Sequence, residues 1–538
     1  MSRRRARETA DRGLRSPAWA EEGRERLVSK GKLLAVCLVW LLIVAAAAGA
    51  WRYLVAPARD EAARQEQERK RQEQLAGTAA DPHYRFQVNL ALDSFSGYAV
   101  LRSRELQNQL ATQRIKLTLI DDQADYPRRL ESLRTGEVQL AAFTIDALIK
   151  ASDQVRDLPA TIVAILDETR GADAMVAYKS VFPNIDALNR ADTRFVLTPD
   201  SPSETLVRVV KSHFHLANLP ADPWVPAADA EDVFQRYRQA AATSRQVYVL
   251  WEPFVSKMLE NQETHVVVDS SRFRGYIVDV LVANRDFLAK NQELVRDFLA
   301  SYFRARHEHR DGMLALVADD ARQAGTPLSS AQAQRLVEGI WWKNTQENYA
   351  HFGLSSGRPL QHLEDMITNI TDVLRNSGAI ASDPTGGRPH LLYYGKVLEE
   401  LQASQFHPGL TPEAIRDDTI RLPALSDAQW QQLVPVGTLD VPPLIFARGT
   451  ATLTEASLAT LDDLVSKLES WPQYYLLVRG NAAPRGDAEA NRALAEARAQ
   501  TVREHLQGRG IDAGRIQARG APPDGDSSVT FVLGQPPF

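Results

Sequence analysis

The stretch LLVRGNAAPRGDAEANRALAEARAQTVREHL, Leu476–Leu506, reads as strand, loop and helix, and it decides how the end of the chain folds. Leu476, Leu477 and Val478 form a short apolar run closed by Gly480, and the loop Asn481 to Gly486 holds the proline and glycine of irregular backbone. Asp487 is placed to cap a helix whose Ala490, Leu494, Ala497, Val502 and Leu506 fall on one side. Asn491 and Arg498 lie two turns apart on that helix, so they share a face. An arginine fixed there suits a carboxylate, because its planar fork gives bidentate, charge-assisted hydrogen bonds.

Outward from this stretch, residues 438–538 read as a β-α-β-α-β-β domain of the α+β class. LIFA is the expected first strand, and Thr454 caps a first helix with Leu458, Leu461, Leu464 and Leu468 as its stripe. YYLLVRG, RIQARG and VTFVL are the remaining strands. The pattern resembles the OmpA-like peptidoglycan-binding domain through Gly480, Gly486, Asn491, Leu494, Arg498 and Ala499. That resemblance implies a peptidoglycan site at Arg498, Asn491 and Asn481, in which a loop Asp and the helix Arg grip the two ends of a diaminopimelate side chain. Ala483 stands where the family has the Asp, with Asn481 and Ala482 replacing the preceding His and Thr. One charge-assisted contact of that kind contributes roughly 1.5–3 kcal/mol, so the expected grip on the wall is weaker than in the family.

Before this domain, residues 383–437 are studded with proline and read as a packed connector, since Leu425, Trp430 and Leu433 need somewhere to bury. Residues 83–382 alternate strand-like runs (FQVNLALDSF, IKLTLIDD, VQLAAFTI, ATIVAILDE, AMVAYK, RFVLTP, QVYVLWEPF) with helical ones, which predicts an α/β domain with largely parallel sheets. Ligands of such sheets bind at the carboxyl ends of the strands. Ser94, Ser96, Tyr98, Thr144, Ser201, Ser203, Trp251 and Glu252 are the candidates there. Ser94, Ser96 and Tyr98 equally suit a turn, and Trp251 is more often a core or hinge aromatic than a stacking platform. Ser201 and Glu204 fit a capping box opening a helix, whose terminus would attract an anion. Asp93, Asp146, Asp167 and Glu168 lie near strand ends as well and oppose an anion.

The phrases LESLRTGEVQLAAFTIDALI and LTPDSPSETLVR…LWEPF, with the aromatic-Ser-Gly-Tyr loop after the first strand, resemble type II periplasmic solute-binding proteins. The nitrate/sulfonate/taurine group and its thiamin-pyrimidine-synthase-like relatives are the nearest in pattern. The resemblance implies two lobes closing over a small solute, with the second lobe beginning near Ser180 and the chain returning near Asp279.

Enzymatic and metal chemistry find no footing. Some of those relatives use a cysteine-rich motif, whereas Cys37 is the single cysteine and lies in an apolar segment. No HExxH, G-x-S-x-G or P-loop pattern occurs, so neither a catalytic residue, a metal site nor a cofactor is expected. His213 and His215 read as surface histidines at a helix end, and Trp341, Trp342, Tyr349, His351 and Phe352 as the core of a helical segment.

At the other end, residues 1–32 form a basic tail with ten Lys/Arg against five Asp/Glu. The uncharged run Leu33–Trp51 matches the ~20 residues of a membrane-spanning helix. Residues 33–54 are therefore read as one transmembrane helix, N-terminus inside by Lys30 and Lys32; Ala48-Gly49-Ala50 leaves a cleaved signal peptide as the alternative. Residues 55–82 are a charged spacer. The formal net charge of −5 argues against a nucleic-acid role. Taken together, the apolar segment and the two resemblances imply a single-pass inner-membrane protein, bulk in the periplasm, that tethers a solute-binding or sensing module to peptidoglycan, with envelope or transporter proteins as further partners. The alternatives are a receptor delivering a small anionic solute to an ABC transporter, and a purely structural envelope scaffold.

Overall fold

A computed structural model describes residues 84–538 apart from 154, 156–157, 356–359, 418, 482–485, 522–528 and 538. Along the chain come β1 (Phe86–Leu92), β2 (Ile115–Asp121), β3 (Leu140–Thr144) and β4 (Ala160–Thr169), with helices between them. Then follow β5 (Asp173–Tyr178), β6 (Arg194–Leu197), β7 (Trp224–Pro226), β8 (Gln246–Trp251) and β9 (Thr264–Asp269), and after these β10 (Val278–Asn284) and β11 (Ile340–Trp342). They build two sheets, β2-β1-β3-β10-β4-β11 and β7-β6-β8-β5-β9. Each is the core of one α/β lobe.

Burial explains which strands are central. Every residue of β3, β4 and β10 is buried, as expected of strands covered by helices on both faces. At the edge, β2 alternates buried and half-buried positions. The sheets are mixed rather than largely parallel: β1 runs parallel to β2 and β3, whereas β10 is antiparallel to β3 and β4, and β5 to β8 and β9. The antiparallel strands are the ones flanking each crossing between lobes, whose direction is set by the crossing and not by a βα unit. The chain crosses at Arg170–Ala172, ahead of the expected Ser180, and returns through Ser270–Ile277. Trp341 and Trp342 sit on edge strand β11 and not in a helix.

The C-terminal sheet holds β12 (Val434–Thr438), β13 (Tyr475–Asn481), β14 (Ile516–Ala521) and β15 (Val529–Gln535) in the order β12-β15-β13-β14. Its first strand is VPVGT and not LIFA. Pro435 and Gly437 look like strand breakers, but the register shifts between them and the strand lies at the sheet edge, where a bulge tolerates both. Leu444–Ala447 instead forms a loop with a lone bridge from Phe446 to Leu453. The helix Glu455–Ser470 starts at Thr454 and the helix Ala488–Gly508 at Asp487, whose side chain accepts from Ala490 N at 2.7 Å. The latter buries Ala495, Ala499, Val502 and Leu506; Ala490 and Ala497 are exposed, so the apolar stripe is rotated from the one expected. A Cβ on Gly480 would lie 1.9 Å from Ala495 O, which is why this helix can rest directly on β13.

The module and the C-terminal domain lie in one compact unit. Pro389–Ala403 adds a 3-10 turn and a helix to the first lobe, with Tyr394 N bonded to Ile162 O at 2.8 Å. Glu413 then pairs with Arg306 and His307, and Arg416 N donates to Glu347 at 3.0 Å. The segment read as a connector therefore packs on the first lobe before entering the C-terminal sheet as β12. No helix among the described residues is long and apolar enough to cross a membrane; the tail 1–32, the expected helix 33–54 and the spacer 55–82 lie outside those residues.

Candidate functional site

The carboxyl ends of β1, β3 and β4 and the start of β10 meet the second lobe along a seam. After β1 the chain turns through Ser96–Tyr98, which brings the fully buried Tyr98 hydroxyl onto the Asp279 carboxyl. In the β4–β10 register Asp279 stands opposite Asp167. Asp167 is fully buried, and neither of its oxygens receives a hydrogen bond from an N–H or O–H donor. Its neighbour is the Asp279 carboxyl, itself an acceptor unless one of the two is protonated. Burial pushes Asp167 up to about 8, against the pull of Lys343. Burial and Asp167 together hold Asp279 well above the usual carboxylate range.

Further along the seam, Thr205 of the helix Pro202–His213 donates to Asp146 Oδ2 at 2.5 Å, across the lobes. Asp146 Oδ1 is buried without a donor. On the second lobe Ser203 donates to Asp173 Oδ1 at 3.1 Å, and burial raises Asp173 to about 7. Lys150 reaches across to Asp200 and Glu204, and Arg208 Nη1 donates to Ser377 Oγ at 3.1 Å. Arg129, fully buried, is held by Asp122 and Asp93, the latter at 3.1 Å.

Of the residues expected to meet a solute, Tyr98, Thr144 and Ser203 are buried at this seam, and Ser96 is half-buried beside them. Ser94 is exposed. Ser201 is the N-cap residue, yet its hydroxyl donates to Thr198 O and does not cap. The expected capping box is not made, because Glu204 accepts from Asp200 N at 2.7 Å instead. Trp251 pairs in register with Asp173 on the neighbouring strand. Glu252 turns to Ser256 at 2.7 Å and Arg335 at 3.5 Å. Asp173 and Asp279 were not among the expected site residues, although their positions next to strand ends carried the same signal as Asp146 and Asp167.

Strand alternation sends Glu168 to the opposite side from Asp167. There Lys343 at 2.8 Å and Arg170 at 3.0 Å outweigh burial and hold its carboxyl well below the usual range. A cavity of about 620 Å³ opens on that side between the module and the C-terminal domain, with Glu168, Arg170, Arg274, Trp341, Glu469 and Arg515 among its walls. It is separate from the seam.

The C-terminal domain grips the returning crossing and the second lobe. Trp471 Nε1 donates to His213 Nδ1 at 2.7 Å, and His213 Nε2 meets the Tyr276 hydroxyl at 3.2 Å. Arg274 N donates to Ser470 O at 3.1 Å, and Gln473 Nε2 to Ser271 O at 2.5 Å. His213 is therefore buried and not a surface histidine; burial and Lys467 depress it to about 3, so it is neutral. His215 diverges as expected and lies exposed beside Asp440 at 3.1 Å. On the far side of the domain Arg498 Nε donates to Thr450 O at 3.1 Å, with the guanidinium over Phe446 at 4.8 Å. Asn491 is half-buried near Gly486, and Asn481 is buried at the end of β13; Ala483 lies outside the described residues.

Residues 445–528 match the OmpA family. No curated protein matches the chain. Solved structures similar to it include the periplasmic aliphatic sulphonate binding protein of Escherichia coli, at 14% identity over 64% of this chain and 99% of that one, TM-score 0.42. A putative periplasmic sulfonate-binding protein of Methylobacillus flagellatus KT gives 11% over 62% and 99%, TM-score 0.46. The periplasmic nitrate-binding protein of Synechocystis PCC 6803 gives 12% over 59% and 88%, TM-score 0.42.

Proposed function

We propose that this is a non-enzymatic envelope protein that joins a solute-capturing or solute-sensing module to the cell wall. In this reading the C-terminal domain contacts peptidoglycan through Arg498, Asn491 and Asn481. The two lobes close over a solute at the seam holding Ser96, Tyr98, Thr144 and Ser203, with Ser94, Ser201, Trp251 and Glu252 at its margins. Residues 33–54 anchor the chain in the inner membrane, with the bulk in the periplasm. The observation that carries the wall-binding half is the OmpA-family match over 445–528, on a helix that presents Arg498 with Nε already committed to Thr450. Fixing the guanidinium beforehand lowers the entropy lost when a carboxylate pairs with it.

Retention on purified peptidoglycan tests this, comparing wild type with Arg498→Ala. Wild type should be retained and the variant lost about tenfold or more. Equal retention removes Arg498 from the site, and absence of retention in both removes the wall-binding role.

The use of the seam as a transport receptor is the second reading. It predicts a mature N-terminus beginning after Ala50, which mass spectrometry of the protein from membranes would reveal. Retention of residues 1–54 supports the anchor.

A further inference from the structure

We infer that the seam between the lobes takes a solute carrying a protonated amino group, in place of an anion. This rests on the solute-binding reading above and names its chemical class.

Four buried carboxyls, those of Asp146, Asp167, Asp173 and Asp279, line the junction of the lobes. Their donors are hydroxyls: Thr205 to Asp146, Ser203 to Asp173 and Tyr98 to Asp279, while Asp167 has only the Asp279 carboxyl. The nearby cations are already engaged. Arg129 is held by Asp93 and Asp122, Lys150 by Asp200 and Glu204, and Lys343 by Glu168 on the far side of β4. Among the described residues, Asp146 Oδ1 and both oxygens of Asp167 are buried and receive no N–H or hydroxyl donor, and the partner of Asp167 is the Asp279 carboxyl.

Carboxyls buried without a cation are costly, and a chain selected for stability alone would replace them with amides or apolar groups. Without a ligand they are relieved by holding protons, which fits their raised pKa values. An ammonium group relieves them differently, supplying a positive charge and three N–H donors to oxygens that lack donors. A sulfonate, nitrate or carboxylate supplies these oxygens with neither a positive charge nor an N–H donor. A metal ion fits less well, since no three acidic, histidine or cysteine side chains among the described residues are grouped to hold one. Lys150, Thr205 and Arg208 make polar contacts across the seam, and a solute entering it must displace them.

The test is isothermal titration of the full chain at pH 7.5 with methylammonium, ethanolamine and putrescine, and in parallel with methanesulfonate, nitrate and acetate. At least one amine should bind, ten times or more tighter than every anion. Asp167→Asn and Asp146→Asn should each weaken it tenfold or more while thermal unfolding shows that they remain folded. Two variants are used so that a folding defect in one leaves the other to report. Amine binding unchanged in both variants overturns the inference. Binding of an anion but not an amine also overturns it, and leaves the solute-binding reading standing. If neither class binds and native mass spectrometry finds no small molecule retained from a periplasmic extract, both fail.

Discussion

Trp471 of the C-terminal domain donates its indole N–H to Nδ1 of His213, the last residue of a helix in the second lobe, at 2.7 Å. Both side chains are buried, and Phe214 and Phe273 pack edge-on or tilted around the indole at 5.1 and 5.4 Å. This contact fastens the C-terminal domain to the module and to the returning crossing at once. Because Nδ1 accepts, Nε2 carries the proton and donates to the Tyr276 hydroxyl.

Replacing Trp471 with Ala should cost about 3–5 kcal/mol, the usual range for a buried large aromatic, read by chemical denaturation. Trp471→Phe keeps most of the packing but leaves His213 Nδ1 without its donor, for about 1–3 kcal/mol. Hydrogen exchange should rise selectively in Ser270–Tyr276. Unchanged exchange there would mean that the domain does not hold the crossing.

The His213 imidazole, depressed to about 3, should stay neutral through mildly acidic pH. The unfolded chain takes up a proton near pH 6.5 and the folded chain does not, so this group's stabilisation is complete above 6.5 and is lost as pH falls toward 3. Histidine NMR across pH 4–8 reads this directly. A His213 resonance titrating near 6.5 would contradict the buried contact.

Asp167 works in the other direction. Its folded pKa is raised to about 8, so its contribution is most favourable below the unfolded value near 3.9 and is lost as pH rises toward 8. Asp167→Asn should therefore raise the melting temperature relative to wild type by more at pH 8 than at pH 5. An equal shift at both values would mean that the carboxyl is not titrating in this window.

At Gly480 any β-carbon would collide with Ala495 O, a backbone atom that cannot rotate away. Gly480→Ala should destabilise the C-terminal domain by about 3 kcal/mol, the upper part of the range for overpacking, as measured by denaturant unfolding. Gly510→Ala is the control for space alone. A Cβ there meets nothing, and its cost should come from the left-handed backbone at φ +98.

Much of the C-terminal domain was legible because its signals are local. Asp487 and Thr454 cap the expected helices, and YYLLVRG, RIQARG and VTFVL became strands. The first strand was missed because Pro435 and Gly437 argue against a strand wherever bulges and sheet edges are unknown. The rotated stripe of Ala488–Gly508 was missed because the helix is rich in alanine, and small residues mark no face until the strand beneath is in place. In the module, the aspartates near strand ends were visible as a problem for anions, but Asp173 and Asp279 were not recognised with them.

By itself the sequence determined the domain order, the α/β alternation of the module and the helix carrying Asn491 and Arg498, since apolar periodicity and caps act over a few residues. Tertiary structure decided the rest. Whether Asp167 faces a partner or water depends on the antiparallel register with β10, which returns only after the whole second lobe has intervened. The same holds for His213, polar by residue type and terminal in its helix, which becomes a buried fastener because Trp471 arrives from a different domain to satisfy it. Burial and pairing over such separations are properties of the packed chain, and they set the charge state of both residues.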